Sequence, residues 1–169
     1  MKKLTLLLLL ASAFAFKLNA QSVSEPGNES PTHNLLKTKK MDSKKNELQN
    51  FTEYQEVVKA LQPYIKSART GDGKLSRSAF YEHAHVVGSM DGEFNNVDAD
   101  QFGENINTFG ASENVQHHIA WIDISGPAAA VKLEFIDWLG FRFTDFLVLY
   151  KKDGQWKISG KVYNAHSRN

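Results

Sequence analysis

The chain has 169 residues, 41% of them hydrophobic and 23% charged, with 20 basic residues against 19 acidic ones. Such a composition fits one ordinary globular domain, with no net field to draw it toward nucleic acid or an anionic surface. There is no cysteine, which excludes disulfides, thiolate metal sites, cysteine nucleophiles and lipid attachment at a processed N-terminal cysteine.

The N-terminus reads as a targeting segment. Lys2 and Lys3 precede an apolar run from Leu4 to Phe16, and Leu18-Asn19-Ala20 offers a small residue just before Gln21. This is the layout of a secretory signal peptide over residues 1–20. The apolar run falls short of the roughly 20 residues a spanning helix needs. Residues 21–50 read as a polar, disordered linker, with Pro26, Gly27 and Pro31 and five lysines between Lys37 and Lys45. Such a segment buries too little apolar surface to offset its ordering entropy. The expected location is periplasmic or secreted, with no insertion in a membrane once the signal is removed.

Residues 51–166 carry the pattern of a folded domain. Phe51, Tyr54, Val58, Leu61, Ile65 and Ala68 recur at helical spacing, with Pro63 inside the stripe expected to kink or split the helix. Gly71 is placed to stop it, and Asp72 to cap a short second helix running through Phe80. Ala84 to Ser89 reads as a strand turning at Met90-Asp91-Gly92-Glu93, and Asp98 to Phe109 as a third helix ended by Gly110. Four strands follow, at 115–125, 128–137, 141–151 and 155–164, separated by Gly126-Pro127, Leu139-Gly140 and Asp153-Gly154. Helices first and an antiparallel meander afterwards argue an α+β fold.

A two-residue turn at Asp153-Gly154 sets a register in which Leu149 faces Ile158, Leu147 faces Gly160 and Asp145 faces Val162. Alternation then puts Phe143, Asp145, Leu147, Leu149, Ile158 and Val162 on the core face. Thr144, Phe146, Val148, Tyr150, Lys157, Ser159, Lys161 and Tyr163 fall on the other. That outward row of apolar groups predicts a homodimer through the sheet face.

The order of these pieces points to a family. Ala68-Arg69-Thr70-Gly71-Asp72 closes the first helix, Ala79-Phe80 the second, and Val86-Val87-Gly88 follows. The sheet carries Phe143-Thr144-Asp145-Phe146-Leu147, Asp153-Gly154-Gln155-Trp156-Lys157-Ile158 and Lys161-Val162-Tyr163. Over about residues 51–166 the chain resembles the lumazine-binding proteins, a branch of the nuclear transport factor 2-like superfamily that includes SnoaL-like cyclases and ketosteroid isomerases. The resemblance implies a strongly curved antiparallel sheet wrapped around helices as a cone, with a pocket at the open end. A proline and an acid often follow the second helix in that family; Tyr81-Glu82-His83 stand there instead.

Asp145 is the one acid on the expected core face. A carboxylate there needs a partner or a proton, which suits general acid or base chemistry, or else a brace of hydrogen bonds for the fold. Tyr64, Tyr81, His83, Trp121 and Phe143 are the expected companions in an apolar-aromatic ligand pocket. No metal site is expected: His83 and His85 can share a strand face, but His117 and His118 point to opposite faces, and no HExxH spacing occurs. No motif calls for a cofactor or for nucleic acid. Three functions stay open: an exported binder of a small molecule such as a planar heterocycle, an isomerase, cyclase or dehydratase moving a proton with Asp145, and a protein-interaction module. On the first point the sequence predicts a mature chain starting at or near Gln21. Mass spectrometry of fractionated cells checks it, and intact residues 1–20 in the cytoplasmic fraction would contradict it.

Overall fold

The computed structural model describes residues 31–168, so the expected signal peptide and the start of the expected linker lie outside the described residues. The chain divides into two units after Thr38, and the second, Lys39–Asn169, carries the whole sheet. Three helices, α1 (Pro31–Thr70), α2 (Gly73–Ser78) and α3 (Ala99–Phe109), accompany six strands. These are β1 (Phe80–Met90), β2 (Glu93–Asp98), β3 (Gln116–Ser125), β4 (Ala128–Trp138), β5 (Phe141–Lys152) and β6 (Gln155–Arg168). Among the described residues no helix is long and apolar enough to cross a membrane.

Helix α1 begins earlier than the apolar stripe does, and residues 39–52 are exposed all round it. Its packed face is Val57, Leu61, Tyr64, Ile65 and Ala68, each at most 6% exposed. The stripe is therefore turned from the expected one: Val57 takes the place of Val58, and Phe51 and Tyr54 stay outside. Pro63 does not end the helix. Its lost hydrogen bond and ring clash cost about 3 kcal/mol, while each fully buried large apolar side chain on either side contributes about 1.5–3 kcal/mol. Asp72 caps α2 by accepting from the Leu75 amide at 2.8 Å, and Asp98 caps α3 by accepting from Gln101 at 2.8 Å. Helix α2 is shorter than expected, because Phe80 already belongs to β1. The two short helices touch through Gly73, where a Cβ would collide with the Gly103 carbonyl oxygen.

The strands form one curved sheet in the order β2-β1-β6-β5-β4-β3. All neighbours are antiparallel except β1 and β6, which run parallel. The tight turns are those of two-residue hairpins: Asp91-Gly92, Leu139-Gly140 and Asp153-Gly154 all have positive φ at both residues.

The last hairpin departs from its expected register. Lys152 pairs with Gln155 and Leu149 with Ile158 as the turn dictates, but Val148 then pairs with Gly160. Ser159 is the extra residue of a β-bulge, and its hydroxyl donates to the Val148 carbonyl at 3.1 Å. Beyond it Leu147 faces Lys161 and Asp145 faces Tyr163. A one-residue slip exchanges the two faces of a strand. Lys161, expected outside, is buried, whereas Val162, expected in the core, is 57% exposed. The outer face carries Phe146, Val148 and Tyr150 as expected, now joined by Val162 and by Trp121, whose ring centroid lies 6.4 Å from that of Phe146.

Candidate functional site

Burial of Lys161 brings an ammonium group into the core opposite the acid that the sequence singles out. Lys161 Nζ lies 3.0 Å from Asp145 Oδ2, with the two side chains 2% and 0% exposed. Tyr64, on the packed face of α1, donates its hydroxyl to the same oxygen at 2.6 Å. Lys161 Nζ also donates to the Tyr64 hydroxyl, which closes a three-membered cluster from α1, β5 and β6. Asp145 Oδ1 is buried without a hydrogen-bond partner among the described residues.

Aromatic rings surround the cluster. Nζ lies 4.8 Å from the Tyr64 ring centroid, 4.9 Å from those of Phe102 and Tyr163, and 5.6 Å from that of Trp138. Their negative faces take up part of the charge that water would otherwise solvate. The Tyr64 ring in turn packs against Phe80, Phe102, Phe135 and Trp138, at centroid distances of 5.7 to 6.0 Å. Burial is the largest influence on the ionisation of both Lys161 and Tyr64. It lowers the pKa of Lys161, against the opposing pull of the Asp145 carboxylate. It also holds the Tyr64 proton well above the ordinary phenol value of 10.0, and the Asp145 charge and hydrogen bond add to that.

Lys161 lines a cavity of about 60 Å³ between α3 and the sheet. Phe102, Trp138, Phe143 and Tyr163 supply its aromatic wall. The partly exposed Met90, Asn95, Asn105 and Phe109 stand toward solvent. Tyr163 lies over Gly88, where a Cβ would run into the tyrosine ring. Among the described residues no group of histidine, aspartate and glutamate side chains is arranged to hold a metal ion.

The family model described as "Putative lumazine-binding" matches residues 52–164, about two thirds of the chain. The chain belongs to this family. A solved nuclear transport factor 2-like protein of unknown function from Shewanella baltica OS155 is 31% identical with a TM-score of 0.65, over 69% of this chain and 96% of that one. A second such protein, from Methylobacillus flagellatus KT, is 30% identical over 69% and 94%, also with a TM-score of 0.65. These relatives establish the α+β cone. Among curated proteins, the aldolase FrzH of a Cladobotryum species is 25% identical over 118 residues, which is 69% of this chain and 94% of the aldolase.

Within this lumazine-binding-type domain the residues expected at the site separate into two groups. Tyr64, Phe143 and Asp145 come together, with Asp145 behind Lys161 rather than on the cavity wall. The other three lie elsewhere. Tyr81 donates its hydroxyl to the Tyr150 carbonyl at 3.1 Å, His83 is exposed, and Trp121 sits on the outer face of the sheet. Lys161, Tyr163, Phe102 and Trp138 escape the sequence reading. For the first two the cause is the bulge, and the adjoining Ser159-Gly160 is the one local signal for it, since glycine within a strand often marks such a site.

The ion pair predicts a strong coupling. Asp145→Asn leaves an uncompensated ammonium in the core and is expected to cost about 3–5 kcal/mol. Lys161→Met strands the carboxylate in the same way. In urea unfolding, the double variant is expected to cost less than the two single changes added together, by about 0.5–3 kcal/mol. Simple additivity would show that the two groups do not act as a pair.

Proposed function

We propose that this is an exported domain that binds a small planar molecule bearing a carbonyl group, with Lys161 meeting the carbonyl from the inner end of the cavity. The observation that carries this reading is a buried cation lining a cavity whose other lining groups are apolar and aromatic apart from Asn95 and Asn105. Few, well-placed polar groups in an apolar hollow are what orient a small ligand. The ring faces of Phe102, Trp138, Phe143 and Tyr163 suit a flat conjugated body, and an ammonium N–H suits its acceptor oxygen. Lumazine, a planar heterocycle with ring carbonyls, has this chemistry, and the name of the family supports the class.

A second reading makes the domain an enzyme of the isomerase, cyclase, dehydratase or aldol type. It is favoured by the hydrogen bonds joining Asp145, Tyr64 and Lys161, through which a proton can pass between three ionisable groups. The similarity to FrzH, an aldolase, supports carbonyl chemistry of this kind. In this reading Lys161 touches the substrate, and Asp145 acts through Lys161 and Tyr64.

Thermal-shift measurements with pteridines, steroid enones and small aromatic aldehydes test the site. At least one class is expected to stabilise the protein, by about 2.7 kcal/mol at a hundredfold excess over Kd, and Lys161→Met is expected to abolish the shift. No shift from any class would remove the reading.

The outer sheet face adds a partner. Phe146, Val148, Tyr150 and Val162 are each about half exposed and contiguous across β5 and β6, which supports self-association through this face in a homodimer. Light scattering is expected to show a dimer, and a clean monomer at ~100 μM, where association of about −6 kcal/mol would be visible, would refute it.

A further inference from the structure

We propose that Lys161 is a nucleophile, and that its side-chain nitrogen condenses with an aldehyde or ketone seated in the cavity to form a covalent imine. The inference rests on the reading of this cavity as a carbonyl-binding site and adds the bond that forms there.

Three observations bear on it. The first is that an ion pair in this place is poorly explained by stability. Replacing a buried pair by apolar groups of similar volume is often neutral or stabilising, yet here a strand is bulged at Ser159 to turn the lysine inward. The second is the position of the amine. Lys161 lines the cavity and its Nζ lies 4.9 to 5.6 Å from the ring centroids of Phe102, Tyr163 and Trp138, which line it too, whereas Asp145 and Tyr64 are not lining groups. The third is the unused capacity of Asp145. Its Oδ2 receives both Tyr64 and Lys161, while Oδ1 has no partner among the described residues and is free to hold a proton. Desolvation supports the same direction, since it lowers the pKa of Lys161. An ordinary surface lysine is an amine in only about one molecule in a few thousand at neutral pH.

The step balances without an oxidant, a reductant or another reactant. The Lys161 ammonium passes a proton to Asp145, and the freed lone pair attacks the carbonyl carbon. As the C–N bond forms, the carbonyl π pair moves to oxygen, which takes a proton from the nitrogen, and Asp145 returns its proton to the nitrogen. The nitrogen gives up a second proton toward that oxygen, the C–O bond breaks, and water leaves. Overall, an ammonium and a carbonyl become a protonated imine and water, and Asp145 is again a carboxylate. The positive charge stays on the same nitrogen, beside the carboxylate and the four ring faces that hold it before reaction.

Reductive trapping tests the inference. The purified protein is incubated with propanal or butanone and sodium cyanoborohydride, and adducts are located by peptide mapping. Lys161 is expected to be alkylated about tenfold or more faster than any surface lysine, in keeping with the scale of acid–base assistance. Lys161→Arg is expected to lose the fast adduct alone, and Tyr64→Phe to slow it. The wild-type peptide map decides the matter even where a variant fails to fold. Surface lysines labelled with Lys161 untouched would overturn the proposal. If thermal shifts with the same carbonyl compounds persisted in that case, only the covalent step would fall; if they were absent too, the carbonyl-binding reading would fall with it.

Discussion

A lysine and an aspartate cannot enter an apolar core one at a time. Each charge taken from water costs several kcal/mol after relaxation, and only a well-placed opposite charge with further hydrogen bonds offsets that cost. Much of this domain's interior follows from meeting that condition for Lys161 and Asp145. The bulge at Ser159 turns Lys161 inward, the pairing of β5 with β6 brings Asp145 within 3.0 Å, and α1 lies so that Tyr64 reaches both. The aromatic side chains around Nζ then serve as more than filler, because an aliphatic core would offer the ammonium no negative face.

The same cluster shows why fold and site differ in how far a sequence reveals them. Turn chemistry and periodicity are local, so the Asp153-Gly154 hairpin, the Asp72 and Asp98 caps and the last four strands were legible residue by residue, whereas β2 was not read as a strand. Asp145 could be placed in the core because β5 alternates without interruption from Asp145 to Leu149. Lys161 could not, because a bulge is a decision of the paired strands and not of one of them. A strict alternation carried past Ser159 puts the residues beyond it on the wrong face. The position of Tyr64 behind the acid depends on α1 crossing the sheet 81 residues away in the chain, which no local pattern encodes. Tyr81 and Trp121 are aromatic, yet they belong to other surfaces, since aromatic character alone does not distinguish a core, a pocket and an outer face.

Membership of the family fixes the cone and leaves the chemistry to particular side chains. A ketosteroid isomerase-like protein from Erwinia carotovora atroseptica shares the fold at 15% identity with a TM-score of 0.53, a level at which only the architecture is common ground. In this chain much of the interior of the sheet is occupied by its own aromatic groups, and the cavity beside Lys161 has about 60 Å³. A cavity of that size admits a small molecule or one end of a larger one. Met90 and Phe109 are partly exposed lining groups, and Met90 carries an unbranched, flexible side chain.

Gly88 acts at one remove from that space. It pairs with Tyr163 across β1 and β6, and the tyrosine ring occupies the volume that any side chain at position 88 would need. A larger residue there would have to displace the ring, and the ring is a wall of the cavity. Change at this single backbone position would thus redraw the shape of the cavity by moving Tyr163, without replacing any side chain that lines it. The shape of the cavity is adjustable from a residue that is not part of its wall.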